Sequence, residues 1–289
     1  MSDRAILVTG GTGQVAQALA AAAGRRDLRV VGRPDFDFDR PQTLRAALDA
    51  VSPSLVVNAA AYTAVDKAES EPDAAWRANR DGPAALGAWC AERGARLIHI
   101  STDYVFDGLK GAPYVEEDAT GPTGVYGASK LAGEAAVLAA GAPVLVLRTS
   151  WVYCASGKNF VLTMLNAARR TDRLRVVADQ LGCPTAAQDL AAAILALADA
   201  WDGSDSGVLH AAGSGETTWH GLAEAAFARA ERHGLRRPAV EAIATADWPT
   251  PARRPPDSRL DCGRLARRFG LALPHWEEGV ARVVDAAMA

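Results

Sequence analysis

The sequence predicts an α/β fold: a Rossmann-like doubly wound parallel sheet with a smaller, discontinuous C-terminal lobe. Three observations lead there. Short β-branched runs alternate with longer alanine-rich segments through the first 150 residues. The strand candidates are apolar throughout rather than alternating, as strands covered on both faces must be. The first of them ends in Gly10-Gly-Thr-Gly13 and opens directly into a helical pattern.

Ala5 to Thr9 reads as a buried strand, and Gln14 to Ala23 as a helix stopped by Gly24. Leu28 to Val31 is a second strand, followed by a helix from Pro41 to Val51 with the proline suited to its first turn. Leu55 to Val57 is a third strand, and Asp73 to Arg93 a single long helix ended by Gly94. Ala95 to Ile100 and Val144 to Leu147 are strands four and five, with a helix around Val125–Ala140 between them. Right-handed crossovers then wind the sheet on both faces. Beyond residue 150 the pattern is less regular: Asn159 to Arg170 and Ala187 to Ala200 read as helices, and Val208 to Ala211 as a return to the sheet. Proline clusters at Trp248-Pro-Thr-Pro251 and Pro255-Pro256 mark a structured, non-helical loop. The division expected is 1–150 for a dinucleotide domain with a return near 185–211, and 151–184 with 212–289 for a substrate-binding lobe.

Composition narrows the partners. The 289 residues carry 31 Lys plus Arg against 34 Asp plus Glu, a net charge of −3, and 49% are hydrophobic. That balance argues against a nucleic-acid or membrane-surface partner, and no apolar run is long enough for a membrane span. Cys90, Cys154, Cys183 and Cys262 lie far apart with no CxxC pair, which fits reduced thiols in a cytoplasm and no metal site. The start shows no signal-peptide pattern.

The glycine turn carries the first chemistry. Glycines at Gly10 and Gly13 let the backbone turn tightly beside a phosphate, while the helix N-terminus offers free N–H groups. Ala16 stands where a third small residue lets helix and strand pack closely. At the end of the second strand an acidic residue would hold the 2′-hydroxyl of NADH and a basic one the 2′-phosphate of NADPH. Arg33 favours NADPH, and Asp35, Asp37 and Asp39 keep NADH open.

Tyr126 and Lys130 stand four residues apart on one helix face. A carbonyl under reduction needs a proton at its oxygen, and a tyrosine can give one when a neighbouring ammonium lowers its pKa. A third partner is expected at the C-terminal end of the fourth strand, where Thr102 is the first choice to orient the carbonyl and Ser101 the second. His99 reads as a core histidine. Arginine suits a diphosphate, so Arg253 or Arg254 in the proline-rich loop is a candidate clamp, and Trp151 a candidate stacking surface.

Further strings match in order and spacing over nearly the whole chain. They are Asn58-Ala-Ala-Ala-Tyr-Thr-Ala-Val-Asp-Lys-Ala-Glu-Ser-Glu-Pro72, Ser101-Thr-Asp-Tyr-Val-Phe106, Tyr126-Gly-x-x-Lys-Leu-Ala-Gly-Glu134, Arg148-Thr-Ser-Trp-Val-Tyr153 and Pro249-Thr-Pro-Ala-Arg-Arg-Pro255. On these the chain resembles the extended short-chain dehydrogenase/reductases, and within them the dTDP-4-dehydrorhamnose reductase family. The resemblance implies catalysis by Thr102, Tyr126 and Lys130. It implies cofactor contacts at Gly13, Gln14, Val15, Asp37, Phe38, Ala61, Tyr62, Thr63, Tyr126 and Lys130, and substrate contacts at Thr102, Asp103, Tyr104 and Trp151. The reaction implied is reduction of dTDP-4-dehydro-6-deoxy-L-mannose at C4 by NADPH, giving dTDP-L-rhamnose. Some members bridge a dimer with Mg²⁺; here Gln188 replaces an expected carboxylate, which argues against the metal and leaves monomer or homodimer open. Two alternatives share the fold: another nucleotide-sugar 4-reductase or epimerase, and a non-catalytic NAD(P)-binding subunit like that of methionine adenosyltransferase.

Overall fold

The computed structural model describes residues 5–289. Its centre is a six-stranded sheet built from β1 (Ile6–Thr9), β2 (Leu28–Val31), β3 (Leu55–Asn58), β4 (Arg96–Thr102), β5 (Val144–Thr149) and the strand Gly207–His210. From one edge the order is Gly207–His210, β5, β4, β3, β1, β2, and every pairing is parallel. The chain builds outward from β1 to β2, then crosses to β3 and continues the other way. The reversal leaves a crevice at the C-terminal ends of β1 and β3, where ligands of such sheets bind.

Strands buried on both faces explain the unbroken apolar runs. Ile6 and Val8 join Leu19, Leu190 and Ile194 in one layer, whereas Leu7 between them joins Leu44, Leu86 and Trp89 in the other. The first layer is made by α1 (Gln14–Ala22) and the helix Ala187–Ala200; the second by α2 (Pro41–Val51), α5 (Gly82–Arg93) and α6 (Val125–Leu138). Each fully buried Leu or Val there contributes about 1.5–3 kcal/mol relative to an exposed one.

The long helix expected over Asp73–Arg93 is broken. A short helix α3 (Val65–Ser70) precedes it, and the segment itself divides into α4 (Pro72–Trp76), a π-helical turn at Arg77–Asp81, and α5. The cause is Pro83, whose ring nitrogen cannot donate to the carbonyl of Asn79 four residues back. That carbonyl instead lies against α6 at Gly133, where an added Cβ would stand 2.0 Å from it.

Beyond β5 the chain forms a second core. Helices Phe160–Ala168, Trp219–Glu231 and Trp276–Met288 enclose Tyr153, Val161, Phe227, Trp276 and Val284, beside a parallel pair made by Arg173–Val177 and Ala239–Ile243. The strand Gly207–His210 interrupts this region and closes the main sheet on β5, as the Val208–Ala211 pattern implied. No described helix is long and apolar enough to cross a membrane.

Candidate active site

The glycine turn lies in the crevice between β1 and β3. Gly10 has φ +106°, and a Cβ there would meet the Ala59 carbonyl oxygen at 2.9 Å. Gly13 caps α1 without a side-chain bond, and its own N–H donates to the Gly10 carbonyl at 2.8 Å. Ala16 is fully buried behind the turn. The result is a backbone cradle at the start of α1, next to Gln14 and Val15, whose helix-terminal N–H groups suit a diphosphate. Gln14 is tied to the second core, its side-chain carbonyl accepting from the Asn159 amide at 3.1 Å.

One strand away, Gly32 follows β2 and packs on Gly11 so closely that its Cβ would stand 2.6 Å from the Gly11 Cα. Arg33 leaves this point and donates to Asp37 at 2.9 Å and to Asp39 at 2.7 Å. Burial pushes the Asp37 carboxyl up, but the Asp39 backbone N–H and the Arg33 and Arg40 charges outweigh it and hold it below the usual carboxylate range. Phe38 lies on Gly82 at the start of α5, where no side chain would fit.

The loop after β3 carries Ala61, Tyr62 and Thr63. Asn79, fully buried in the π turn, clamps it: its Oδ1 accepts from the Tyr62 N–H at 2.8 Å, and its Nδ2 donates to the Tyr62 carbonyl at 3.1 Å and to Ser129 at 3.0 Å. The Tyr62 hydroxyl donates to Glu71 at 2.5 Å. Glu69 accepts from the Val125 N–H at 2.8 Å, capping α6 one residue before Tyr126, where a carboxylate also suits the helix dipole.

Thr102 ends β4, and Tyr126 and Lys130 project from α6, which packs on the segment after β4. Gly127 permits that contact, since a Cβ would stand 2.2 Å from the Tyr104 carbonyl. The Thr102 hydroxyl donates to Asp103 at 3.0 Å and accepts from the Tyr104 N–H at 3.2 Å, and the Tyr104 ring meets Tyr126 edge to face at 5.7 Å. Lys130 is buried and donates to the Ile100 carbonyl at 2.6 Å. Burial pushes its pKa down to about 8, with the Glu134 charge opposing. Burial pushes the Tyr126 phenol up to about 12, outweighing the opposing influence of Thr102.

Ser101 and Thr102 separate because adjacent strand residues face opposite sides. Ser101 donates to Glu134 at 2.5 Å, and Glu134 holds Arg148 in a buried pair at 2.7 Å. As second choice for the carbonyl contact it is therefore corrected: it belongs to a structural network. His99 is a core histidine, with its Nδ1 2.9 Å from the Asn58 amide and its pKa pushed well down by burial. Asp103 is buried behind Thr102, accepting from Thr102 at 3.0 Å and from Ser150 at 3.1 Å. Burial raises it to about 6, and it reaches the cleft through Thr102.

The proline-rich loop borders a cleft of about 480 Å³ lined by Thr245, Trp248, Arg253 and Arg254 among others. Arg254 donates to Asp66 at 2.9 Å, whereas Arg253 is exposed. Arg259 is fully engaged by Asp257 at 2.7 Å and Glu216 at 2.8 Å. Trp151, with φ +47°, lies flat on Trp219 at 3.5 Å between ring centroids and abuts Gly182. Among the described residues no cluster of three or more His, Cys, Asp or Glu could hold a metal ion. Among the site-supporting residues Asn79 lies outside every motif string, whereas Glu69, Glu134 and Arg148 stand inside strings whose spacing assigns them no role.

A glycine cradle at the switch point, with Thr102, Tyr126 and Lys130 at the adjacent strand end, defines an extended short-chain dehydrogenase/reductase. Residues 4–289 match the RmlD substrate binding domain family, and the chain belongs to it. It is 48% identical to a dTDP-4-dehydrorhamnose reductase of Sinorhizobium fredii over 98% of this chain and 97% of that one. It is 42% identical to the Escherichia coli K12 dTDP-4-dehydrorhamnose reductase over 97% of each. Among solved structures, the dTDP-4-dehydrorhamnose reductase of Clostridium acetobutylicum superposes with TM-score 0.91 at 34% identity, covering 99% of this chain and 100% of that one. The Bacillus anthracis dTDP-4-dehydrorhamnose reductase, solved in complex with NADP, gives 0.90 at 31% identity, covering 97% and 98%.

Proposed function

We propose that this protein is an NADPH-dependent reductase that converts dTDP-4-dehydro-6-deoxy-L-mannose to dTDP-L-rhamnose at C4. The observation that carries it is the joint one of a full-length relationship to reductases of that name and a Thr102–Tyr126–Lys130 constellation beside the glycine cradle. The backbone at Gly10 and Gly13 fits a dinucleotide diphosphate, since a Cβ at either would stand 3.0 Å or less from backbone oxygen. NADPH, when bound, supplies the hydride for the substrate carbon. Gly10, Gly13, Gln14 and Val15 would hold its diphosphate, Arg33, Asp37 and Phe38 would take its adenosine end, and Ala61, Tyr62 and Thr63 would border its far side.

The chain's own groups then manage the oxygen. Thr102, held in place by the Tyr104 N–H, would turn its hydroxyl proton from Asp103 to the C4 carbonyl oxygen and so orient it. Tyr126 gives its phenolic proton to that oxygen as the carbon is reduced, leaving a secondary alcohol and a phenolate. Lys130 stabilises the phenolate and holds the nicotinamide ribose. Tyr104 and Trp151 border the sugar, and Arg253 meets the substrate diphosphate from the loop. On this reading 1–150 with the return near 185–211 binds the cofactor, and the remainder binds substrate. We place the protein in the cytoplasm, where its four free cysteines would stay reduced.

The test is NADPH oxidation with dTDP-4-dehydro-6-deoxy-L-mannose, with the product identified by NMR. Stoichiometric NADP⁺ and dTDP-L-rhamnose are expected, and Tyr126→Phe should lower kcat by roughly 10²–10⁴ while leaving NADPH affinity within about twofold. Near-normal turnover in that variant would remove Tyr126 from the mechanism. A tightly held cofactor recycled without net consumption would instead indicate an epimerase.

A further inference from the structure

We propose that the Asp39 carboxylate is an internal competitor for the 2′-phosphate of NADPH, occupying the arginines that would otherwise receive it. This residue then sets how strongly the chain prefers NADPH over NADH. The inference rests on the dinucleotide reading above.

Placement comes from the backbone. Gly32 touches Gly11 of the glycine turn, so the side chains that follow it stand where the adenosine ribose of a bound dinucleotide lies. There Asp39 puts one oxygen on each of two guanidinium groups: Oδ2 accepts from Arg33 at 2.7 Å, and Oδ1 accepts from Arg77 at 2.9 Å. Bridging two arginines in this way is the arrangement a phosphate adopts. Asp37 is built differently, since its Oδ1 also accepts the Asp39 backbone N–H at 3.1 Å, which fixes it within the loop. The carboxylate of Asp39 has arginine partners alone among the described contacts.

The bridge is also exchangeable. Side-chain exposure is 67% for Arg33, 43% for Asp39 and 48% for Arg77, so each pair is of the weak, solvent-screened kind. Arg77 comes from the π turn, far from Arg33 in sequence, so neither arginine alone explains the convergence. Arg33, Arg40 and Arg77 balance Asp35, Asp37 and Asp39. A 2′-hydroxyl enters that balanced patch without disturbing it. A 2′-phosphate must first displace Asp39, then remain beside it as a like charge.

Calorimetric titration of the whole protein with NADPH, NADH and 2′,5′-ADP at fixed ionic strength reads this directly, without turnover. Asp39→Asn should tighten NADPH and 2′,5′-ADP about three- to tenfold and move NADH less than about twofold, the size expected for freeing two surface guanidiniums and removing one repulsion. Asp35→Asn, a charge change of equal size in the same loop, should move none of them more than about twofold. Adding Arg77→Met to Asp39→Asn should erase the gain. An unchanged NADPH-to-NADH affinity ratio in Asp39→Asn, or an equal effect from Asp35→Asn, overturns the inference and leaves the reductase reading standing. Failure of the unmodified protein to bind either cofactor overturns both.

Discussion

Replacing Glu134 by Leu tests whether the wall behind Lys130 is held by charge. The Glu134 carboxylate accepts from Arg148 Nε at 3.0 Å and Nη2 at 2.7 Å, and from Ser101 at 2.5 Å. Side-chain exposure is 3% for Glu134 and 5% for Arg148, so water cannot replace the lost partner. Arg148 already has Nη1 without a bond, and its guanidinium lies 5.0 Å from the Phe106 ring centroid. Removing one member of a buried pair costs about 3–5 kcal/mol, because the other charge stays in low dielectric. With an unfolding entropy of about 2.1 cal/mol/K per residue, that corresponds to a Tm lower by roughly 5–8 °C for a chain of this length.

The assay is a double-mutant cycle by denaturant unfolding: Glu134→Leu, Arg148→Met and the pair together. The double variant should lie within about 1–2 kcal/mol of the unmodified protein, since two well-packed apolar groups replace a pair that had to be desolvated. A loss below about 1 kcal/mol in Glu134→Leu, or a double variant that loses the sum of the singles, refutes this account. Lys130 supplies an independent readout. Glu134 supports the charge on Lys130, one turn away, so its loss should move the lysine pKa below its present value of about 8.

Two further predictions concern the cleft. Lys130 titrates near 8, below its ordinary 10.5, because burial disfavours its charge. Its contribution to folding stability is therefore present above 10.5 and lost as pH falls through about 8, while the ammonium that the proposed mechanism places at the ribose is lost in the opposite direction. NADPH affinity should thus weaken by up to about tenfold per unit above pH 8 in direct titrations, and Lys130→Met should flatten that slope. Arg253→Ala should raise the substrate KM about tenfold or more with little change in kcat, the size of a lost charged hydrogen bond, whereas Arg254→Ala, already neutralised by Asp66, should raise it less than about threefold. Equal effects in steady-state kinetics would remove the distinction between the two arginines.

The parallel sheet is legible in the sequence because strands buried on both sides leave runs such as Leu55-Val-Val57 with no polar residue to break them. The glycine turn and the Tyr126–Lys130 spacing are legible because each is local: two residues four apart on a helix share a face whatever surrounds them. Other features depend on register. Ser101 pairs with Arg148 across β4 and β5, and Glu134 reaches both from α6; no motif encodes a contact between three elements. Burial is likewise not local: it pushes the Tyr126 phenol up, a cause that no spacing of residues carries. The broken helix is a different case: Gly82-Pro83 was present to be read, and a proline ten residues into a helical pattern removes a hydrogen bond at Asn79. The regions after residue 150 are less legible because strands such as Ala239–Ile243 are mostly exposed and carry no unbroken apolar run.

The two kinds of ion pair divide the work of the cleft. In the wall, the Glu134–Arg148 pair is sealed from water, so breaking it leaves a stranded charge; such a pair is permanent and can fix Ser101 and the strand ends that present Thr102. At the rim, Asp39 spans Arg33 and Arg77, and Asp66 holds Arg254, all with substantial exposure on at least one partner. Pairs of that kind contribute about 0–1 kcal/mol, so an incoming phosphate can exchange for the carboxylate at little cost. Rim carboxylates therefore keep arginines ordered while no phosphate is bound, and they make phosphate affinity a difference between two similar interactions rather than a full gain. Arg253, exposed and outside any such pair among the described contacts, is the exception, and its charge is available to a ligand without a prior exchange.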